Sequence, residues 1–172
     1  KGGFKHALND AMVPDCGCVL PGGQHVLLGG EGATVQCIPL HDAELDTAQG
    51  STLKLGMDDA SCMAPIPHSD PPSAVVGDDS GDLYKISVDA SGSLSSSALP
   101  LAHASGLASM VIMDCSPSDA VTLITASYDC AVQAQQLPRA AAASAADGDA
   151  APAAAWSAKI DVLPPLDIMD AA

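Results

Sequence analysis

Two residues far apart in the chain could together act as a general base. His103 and Asp129 are the residue types of a His–carboxylate pair, in which the carboxylate orients the imidazole. The chain has no serine in a Gly-x-Ser-x-Gly turn, no His-Glu-x-x-His pair and no phosphate-binding Gly-Lys-Ser/Thr motif. We therefore predict that His103 and Asp129 form a structural hydrogen bond and that the chain has no catalytic residues.

Two other stretches have the atoms to hold a metal ion. Cys16 and Cys18 are separated by a single residue, whereas zinc sites normally space thiolates by two to four residues and add a second pair. Residues 78–82 alternate oxygen ligands as a calcium loop does, but Leu83 stands where the sharp turn needs Gly and no bidentate Glu follows. We predict no metal site and no cofactor.

The elements that would position these residues repeat along the chain. The pairs Gly29 and Val35, Gly77 and Leu83, and Ala126 and Val132 recur after 48 and then 49 residues. In each copy an apolar stretch, a small or acidic turn and a second apolar stretch follow a proline, as in two strands joined by a tight turn. This periodicity predicts an array of small antiparallel β-units.

The predicted fold is all-β, with four antiparallel strands in each unit. We predict a first unit at 1–56, a second at 57–102 and a third at 103–172. The predicted strands are residues 16–20, 25–28, 34–40 and 51–55, then 60–66, 73–76, 82–88 and 94–101, then 110–115, 121–126 and 131–137. In the third unit, the Ala-rich residues 140–155 predict a disordered insertion, and 156–162 an outer strand. Residues 168–170 (Ile-Met-Asp) repeat residues 112–114 and predict the start of a fourth unit.

Residues 115–132, CSPSDAVTLITASYDCAV, resemble the core of a repeat from the WD-repeat β-propeller family. The resemblance implies that each unit is a propeller blade, and that a His before the first strand bonds an Asp in the second turn. His103 and Asp129 occupy those places. The repeats are degenerate, because the family's Trp position holds Ile38, Ile86 and Gln135, and its turn Asp is replaced by Gly32 and Ser80 in the first two copies.

Charge and cysteine content narrow the classes of partner and compartment. Six basic residues against 21 acidic ones give a net charge of −15, which repels nucleic acid and anionic membranes. The sequence has no apolar run of about 18 residues, and its first residues lack the apolar centre of a signal peptide. The six cysteines fall mostly in apolar stretches, which favours reduced core thiols. We expect an intracellular protein, cytoplasmic or nuclear.

These features favour a scaffold or adaptor that mediates protein–protein interaction within a multiprotein complex. The predicted partner surface lies on acidic turns, and a basic protein segment is the expected partner; the residues are Glu31, Asp58, Asp59, Asp78, Asp79, Asp82 and Asp129. A propeller closes with about four to eight blades, so the remaining blades would come from a longer chain or another subunit. The alternatives are a propeller enzyme, a hydrolase or oxidoreductase with its site in the missing blades, and a structural filler subunit of a large assembly.

Overall fold

A computed structural model describes residues 12–41, 44–45, 50–56, 58–114 and 119–139 of the chain. These residues form twelve strands and no helix, so the all-β, antiparallel prediction is confirmed. None of the described residues belongs to a helix that could cross a membrane. The predicted insertion at 140–155, the outer strand at 156–162 and the repeat at 168–170 lie outside the described residues.

The strands form three separate antiparallel sheets, each built from one stretch of the chain. Sheet 1 has the order β1-β2-β3-β4 with β5 also paired to β3, sheet 2 has the order β6-β7-β8-β9, and sheet 3 has the order β10-β11-β12. The strands of sheet 1 are Pro14–Val19, His25–Gly30, Thr34–His41, Glu44–Leu45 and Ser51–Lys54. Those of sheet 2 are Ala60–Pro65, Ser73–Asp78, Leu83–Val88 and Leu94–Ala98, and those of sheet 3 are Leu107–Met113, Ala120–Ser127 and Val132–Pro138.

The three sheets share the same local distortion in their first strands. The pairing register shifts between Pro14 and Cys16 in β1, and it shifts at the corresponding places in β6 and β10, between Ala60 and Cys62 and between Leu107 and Ser109. A β-bulge of this kind adds one residue and changes which later residues face each side of the sheet. Strand β10 begins at Leu107, whereas the predicted strand began at Met110. The bulge between Leu107 and Ser109 interrupts the regular alternation of the two faces, so the sequence pattern did not reveal this first part of the strand.

The turn after the second strand is also the same in each sheet. Ala33, Gly81 and Cys130 hold equivalent positions there and have positive φ angles of 56°, 96° and 62°. The residue two positions earlier in each turn donates its backbone N–H to the carbonyl of the residue just before the first strand of the sheet. The three bonds run from Glu31 to Val13, from Asp79 to Asp59 and from Tyr128 to Gly106. The sequence period thus corresponds to one repeated structural unit.

Two apolar cores join the sheets in chain order. The first core lies between sheets 1 and 2 and includes Leu27, Val35, Val76 and Ile86, and the second lies between sheets 2 and 3. The second core is made by Ile66, Val75, Leu83, Leu107, Val121, Leu123 and Leu137. With few aromatic rings in the chain, these cores depend on aliphatic side chains, each of which contributes about 1.5 to 3 kcal/mol when fully buried.

The glycines of the repeat allow neighbouring sheets to approach closely. A Cβ atom placed on Gly29 would lie 2.9 Å from the Ala60 Cβ and 3.0 Å from the Met63 Cε, both on β6. A Cβ atom placed on Gly77 would overlap Leu107 of β10 in the same way. The first strand of each following sheet therefore packs against the glycine of the sheet before it.

Five of the six cysteines lie in the described residues, and none of these five is in a disulfide. Burial raises the pKa of Cys16 and Cys18 to about 12 and that of Cys37 and Cys62 to about 11. Cys130 differs, because it lies at a turn and is exposed. The thiolate is the reactive form of cysteine, so these four thiols, one buried and three half-buried, should react slowly.

We expect a thiol reagent at pH 8 to modify Cys130 well before Cys16, Cys18, Cys37 and Cys62, whose pKa values are raised. Mass spectrometry of peptides taken at successive times measures the order of modification. In a matched sample unfolded in denaturant, all five cysteines should be modified at similar rates, because the difference between them comes from burial in the folded protein. Modification of Cys18 or Cys37 in the native protein as fast as Cys130 would contradict the assigned burial.

Candidate functional site

The second turns of the three sheets and the links between sheets form a continuous edge, which we call the turn rim. It consists of residues 30–34, 58–60, 78–82, 103–106 and 127–131. Backbone hydrogen bonds join its parts: Asp79 donates to the Asp59 carbonyl at 3.0 Å, His103 donates to the Gly81 carbonyl at 3.0 Å, and Tyr128 donates to the Gly106 carbonyl at 3.1 Å. The sheet 1 turn is joined to them by the Gly32 N–H, which donates to the Asp59 carboxylate at 2.7 Å. Because turns and links alternate along these bonds, all three sheets present the rim on one edge.

His103 and Asp129 meet at the sheet 3 end of the turn rim. The His103 Nδ1 atom lies 3.2 Å from Asp129 Oδ2, and the His103 side chain is completely shielded from solvent. The other ring nitrogen, Nε2, lies 2.8 Å from the Thr125 hydroxyl oxygen on β11. With a proton on Nδ1, His103 donates to the carboxylate and accepts the Thr125 hydroxyl proton. His103 lies in the link between sheets 2 and 3. Through its two ring nitrogens, this link is therefore bonded both to β11 and to the turn that follows β11.

Asp129 also binds the backbone around it. Its carboxylate accepts from the Ala131 N–H at 2.8 Å and from the Ala104 N–H at 3.0 Å. Burial alone would raise the pKa of Asp129, but hydrogen bonds from Ala104, Ala131, His103 and Ser127 outweigh it and lower the pKa to about 2. Asp129 is therefore ionised at neutral pH and serves as the acceptor that holds the turn.

The order Asp129, His103, Thr125 has the connectivity of an acid–base–nucleophile triad. Thr125 is only 1% exposed, so no substrate atom can approach its hydroxyl oxygen. A nucleophile must be within reach of the bond that it attacks. The three residues thus hold sheet 3 together. Sequence reasoning missed Thr125, whose only signal was its position on the buried face of an alternating strand.

The structure places Asp78 inside the turn rim and away from solvent, with only 2% of its surface exposed. Its Oδ1 atom accepts from the backbone N–H of Ser80 at 3.1 Å, the Ser80 hydroxyl at 2.7 Å and the backbone N–H of Asp82 at 2.9 Å. Asp89 makes the same bonds to Ser91 and Ser93 in the next turn. Asp78 therefore stabilises its own turn, and its burial removes it from the predicted partner surface.

Four of the other predicted surface carboxylates are accessible, whereas Asp129 is half-buried and holds its own turn. Glu31, Asp58, Asp79 and Asp82 are exposed, and Asp59 is half-buried with its Oδ1 atom 2.7 Å from the Gly32 N–H. Burial and the charges of Asp78, Asp82 and Asp58 raise the pKa of Tyr84. A Cβ atom placed on Gly56 would lie 2.9 Å from the Tyr84 hydroxyl oxygen and 3.9 Å from the Asp78 Oδ2 atom, so the Tyr84 hydroxyl and the Asp78 carboxylate both lie close to the β5–β6 link.

The sequence of the turn rim contains seven acidic residues and no lysine or arginine. Tyr128, one of only four aromatic residues in the chain, is 75% exposed beside them. Its N–H binds the Gly106 carbonyl, and a Cβ atom on Gly106 would lie 2.9 Å from the Asp79 carbonyl oxygen. The backbones of Tyr128 and Asp79 therefore meet at Gly106, and the side chains of both residues are exposed.

The structure places Cys16 and Cys18 on the face of sheet 1 that packs into the first core. Among the residues that the structure describes, no three His, Cys, Asp or Glu side chains group closely enough to hold a metal ion. Comparison of the sequence with models of known protein families and with curated proteins gives no match.

Proposed function

We propose that this protein is a binding scaffold whose turn rim holds a basic segment of a partner protein. The observation that carries the proposal is the continuity of the rim, because backbone hydrogen bonds and the bond from the Gly32 N–H to the Asp59 carboxylate hold turns from three sheets on one edge. Carboxylates placed by such a rigid frame keep their spacing when a partner arrives. Rigid placement lowers the entropic cost of binding.

The chemistry of the rim favours arginine and lysine side chains as its ligands. Exposed carboxylates attract a basic segment over distances of about 8 Å at physiological salt and raise its association rate. Tyr128 offers a flat ring on which a guanidinium can stack, with an energy of about 0.5 to 1 kcal/mol at an exposed site. Tyrosine is also enriched among the residues that dominate protein interfaces.

We further propose that the three sheets are propeller-type blades of a WD-repeat-like array. Strand β1 packs beside β6 and β6 packs beside β10, so the first strands of the sheets are neighbours. Equivalent bulges and equivalent turns in each sheet support one repeated geometry. In such an array the turns after the second strands share one side, which agrees with the acidic rim.

We expect the double substitution Asp79→Asn and Asp82→Asn to slow association with a deca-arginine peptide about three- to tenfold at low salt. The matched control, Asp70→Asn with Asp119→Asn, removes the same charge from two exposed residues in turns at the opposite edge of the sheets. Surface plasmon resonance at several salt concentrations measures the rates. The expected difference should shrink as salt rises, because the charges are exposed.

The proposal fails if the rim variant and the control variant slow association equally, since the effect would then follow net charge alone. It also fails if neither variant changes the rate. A Tyr128→Ala variant tests the aromatic contribution separately and should raise the dissociation rate. Circular dichroism of each variant should match the unaltered protein, because these side chains make no core contacts.

A further inference from the structure

Sheet 3 has an apolar face that points away from the second core. Val111 and Met113 on β10 are 51% and 42% exposed, while their neighbours Met110 and Ile112 pack into the core on the other side. Strand pairing puts Val111 opposite Ile124, and Ile124 opposite Ala134 on β12. The outward face of sheet 3 is therefore continuous across its three strands and consists mainly of apolar side chains.

The corresponding faces of sheets 1 and 2 are each covered by the next sheet. Ala126 on β11 is equivalent to Gly77 on β7, because both pair with the residue just after the bulge in the first strand. Gly77 receives Leu107 and Met110 of β10. Ala64, the counterpart of Val111 on sheet 2, is only 7% exposed as a result. Within the described residues, no strand covers the face around Ala126.

The sequence of this covering strand, β10, occurs a second time later in the chain. Residues 163–170 read LPPLDIMD, and residues 107–114 read LASMVIMD, with four identities in eight. The bulge in β10 places Leu107, Met110 and Ile112 on the core side of sheet 3. Their counterparts in the second copy are Leu163, Leu166 and Ile168, so all three core-facing positions are again large and apolar.

We propose that residues 163–170 form a strand that docks on the outward face of sheet 3, as β10 docks on sheet 2. Leu163 and Leu166 would contact Ala126, and Ile168 would extend the contact along the face. Pro164 and Pro165 fall at the bulge, where prolines are tolerated. The 23 intervening residues can span roughly 75 Å when extended, so they can reach this face.

The docked strand should shield the side chain at position 111. In the full chain, a Val111→Cys probe should react slowly with a thiol reagent, and adding Leu166→Asp should speed its modification about tenfold or more, because the charge ejects the strand. The matched control is Asp167→Asn, at the counterpart of Val111 itself, and should leave the rate unchanged. Peptide mass spectrometry separates the probe from the native cysteines.

A synthetic peptide of residues 160–172, added to the Val111→Cys, Leu166→Asp protein, should restore the slow rate. This step separates strand release from misfolding, because a misfolded sheet 3 would not recover. Equal labelling rates with and without Leu166→Asp would overturn the proposal. Protection that grows with protein concentration, together with a dimer in sedimentation, would also overturn it, since a second copy would then cover the face. None of these readouts depends on partner binding at the turn rim.

Discussion

Replacing Gly81 by alanine is expected to lower the free energy of unfolding by about 2 to 5 kcal/mol. Gly81 has a φ of 96°, which an alanine adopts only with strain. An added Cβ atom would also lie 2.5 Å from the Ser105 carbonyl oxygen and 2.6 Å from the His103 carbonyl oxygen. Both atoms belong to the backbone of the link into sheet 3, so they cannot rotate away as a side chain would.

The repeat supplies matched controls for this substitution. Ala33 and Cys130 occupy the same turn position in sheets 1 and 3 and already have positive φ angles. Replacing Cys130 by glycine relieves its strain but increases the freedom of the unfolded chain, so stability should change by less than about 1 kcal/mol. Urea denaturation of the variants measures the difference. A cost for Gly81→Ala as small as that for Cys130→Gly would show that the link can move away from the turn.

The periodic part of the fold could be predicted from the sequence because small residues recur where sheets approach. Gly29, Gly77 and Ala126 share one register position, and the first two accept the next sheet. Strand boundaries near prolines were harder to predict. Strand β9 ends at Ala98, whereas the predicted strand extended to Leu101, because Pro100 has no N–H to continue the ladder.

Sheet 1 also differs from the four-strand prediction. It contains a fifth strand, β4, of only two residues, within a stretch whose polar composition gave no strand signal. Such a short strand is held by its pairing with the end of β3, which is a tertiary contact that local sequence does not reveal.

The residues of the turn rim could be predicted from the sequence only where a residue type at that position has one usual structural role. His103 and Asp129 were predicted from the resemblance as a pair, and the structure places them in contact. For Asp78 and Asp79 the sequence offered no distinction, because both are aspartates in one acidic turn. The structure separates them: Asp78 turns inward to bind Ser80 and Asp82, whereas Asp79 faces solvent. That choice depends on which carboxylate can reach the free N–H groups of the turn.

The contact between His103 and Asp129 gives the last prediction. Replacing either residue by alanine should lower the free energy of unfolding by about 1 to 3 kcal/mol, because the remaining buried partner loses its hydrogen bond. The two costs should not add, and the coupling between them should be about 0.5 to 3 kcal/mol in a double-mutant cycle. Thr125→Val serves as a reference that removes only the second bond of the imidazole.

The pH dependence of the same variants tests the charge of Asp129. The folded state lowers the pKa of this carboxyl from 3.8 to about 2, so its ionised form favours folding. The contribution is fully present above about pH 4 and is lost as the pH falls toward 2. The difference in stability between the unaltered protein and Asp129→Asn should therefore narrow over that range. A constant difference from pH 6 to pH 2, or simple additivity in the cycle, would mean that Asp129 does not act as the ionised acceptor of His103.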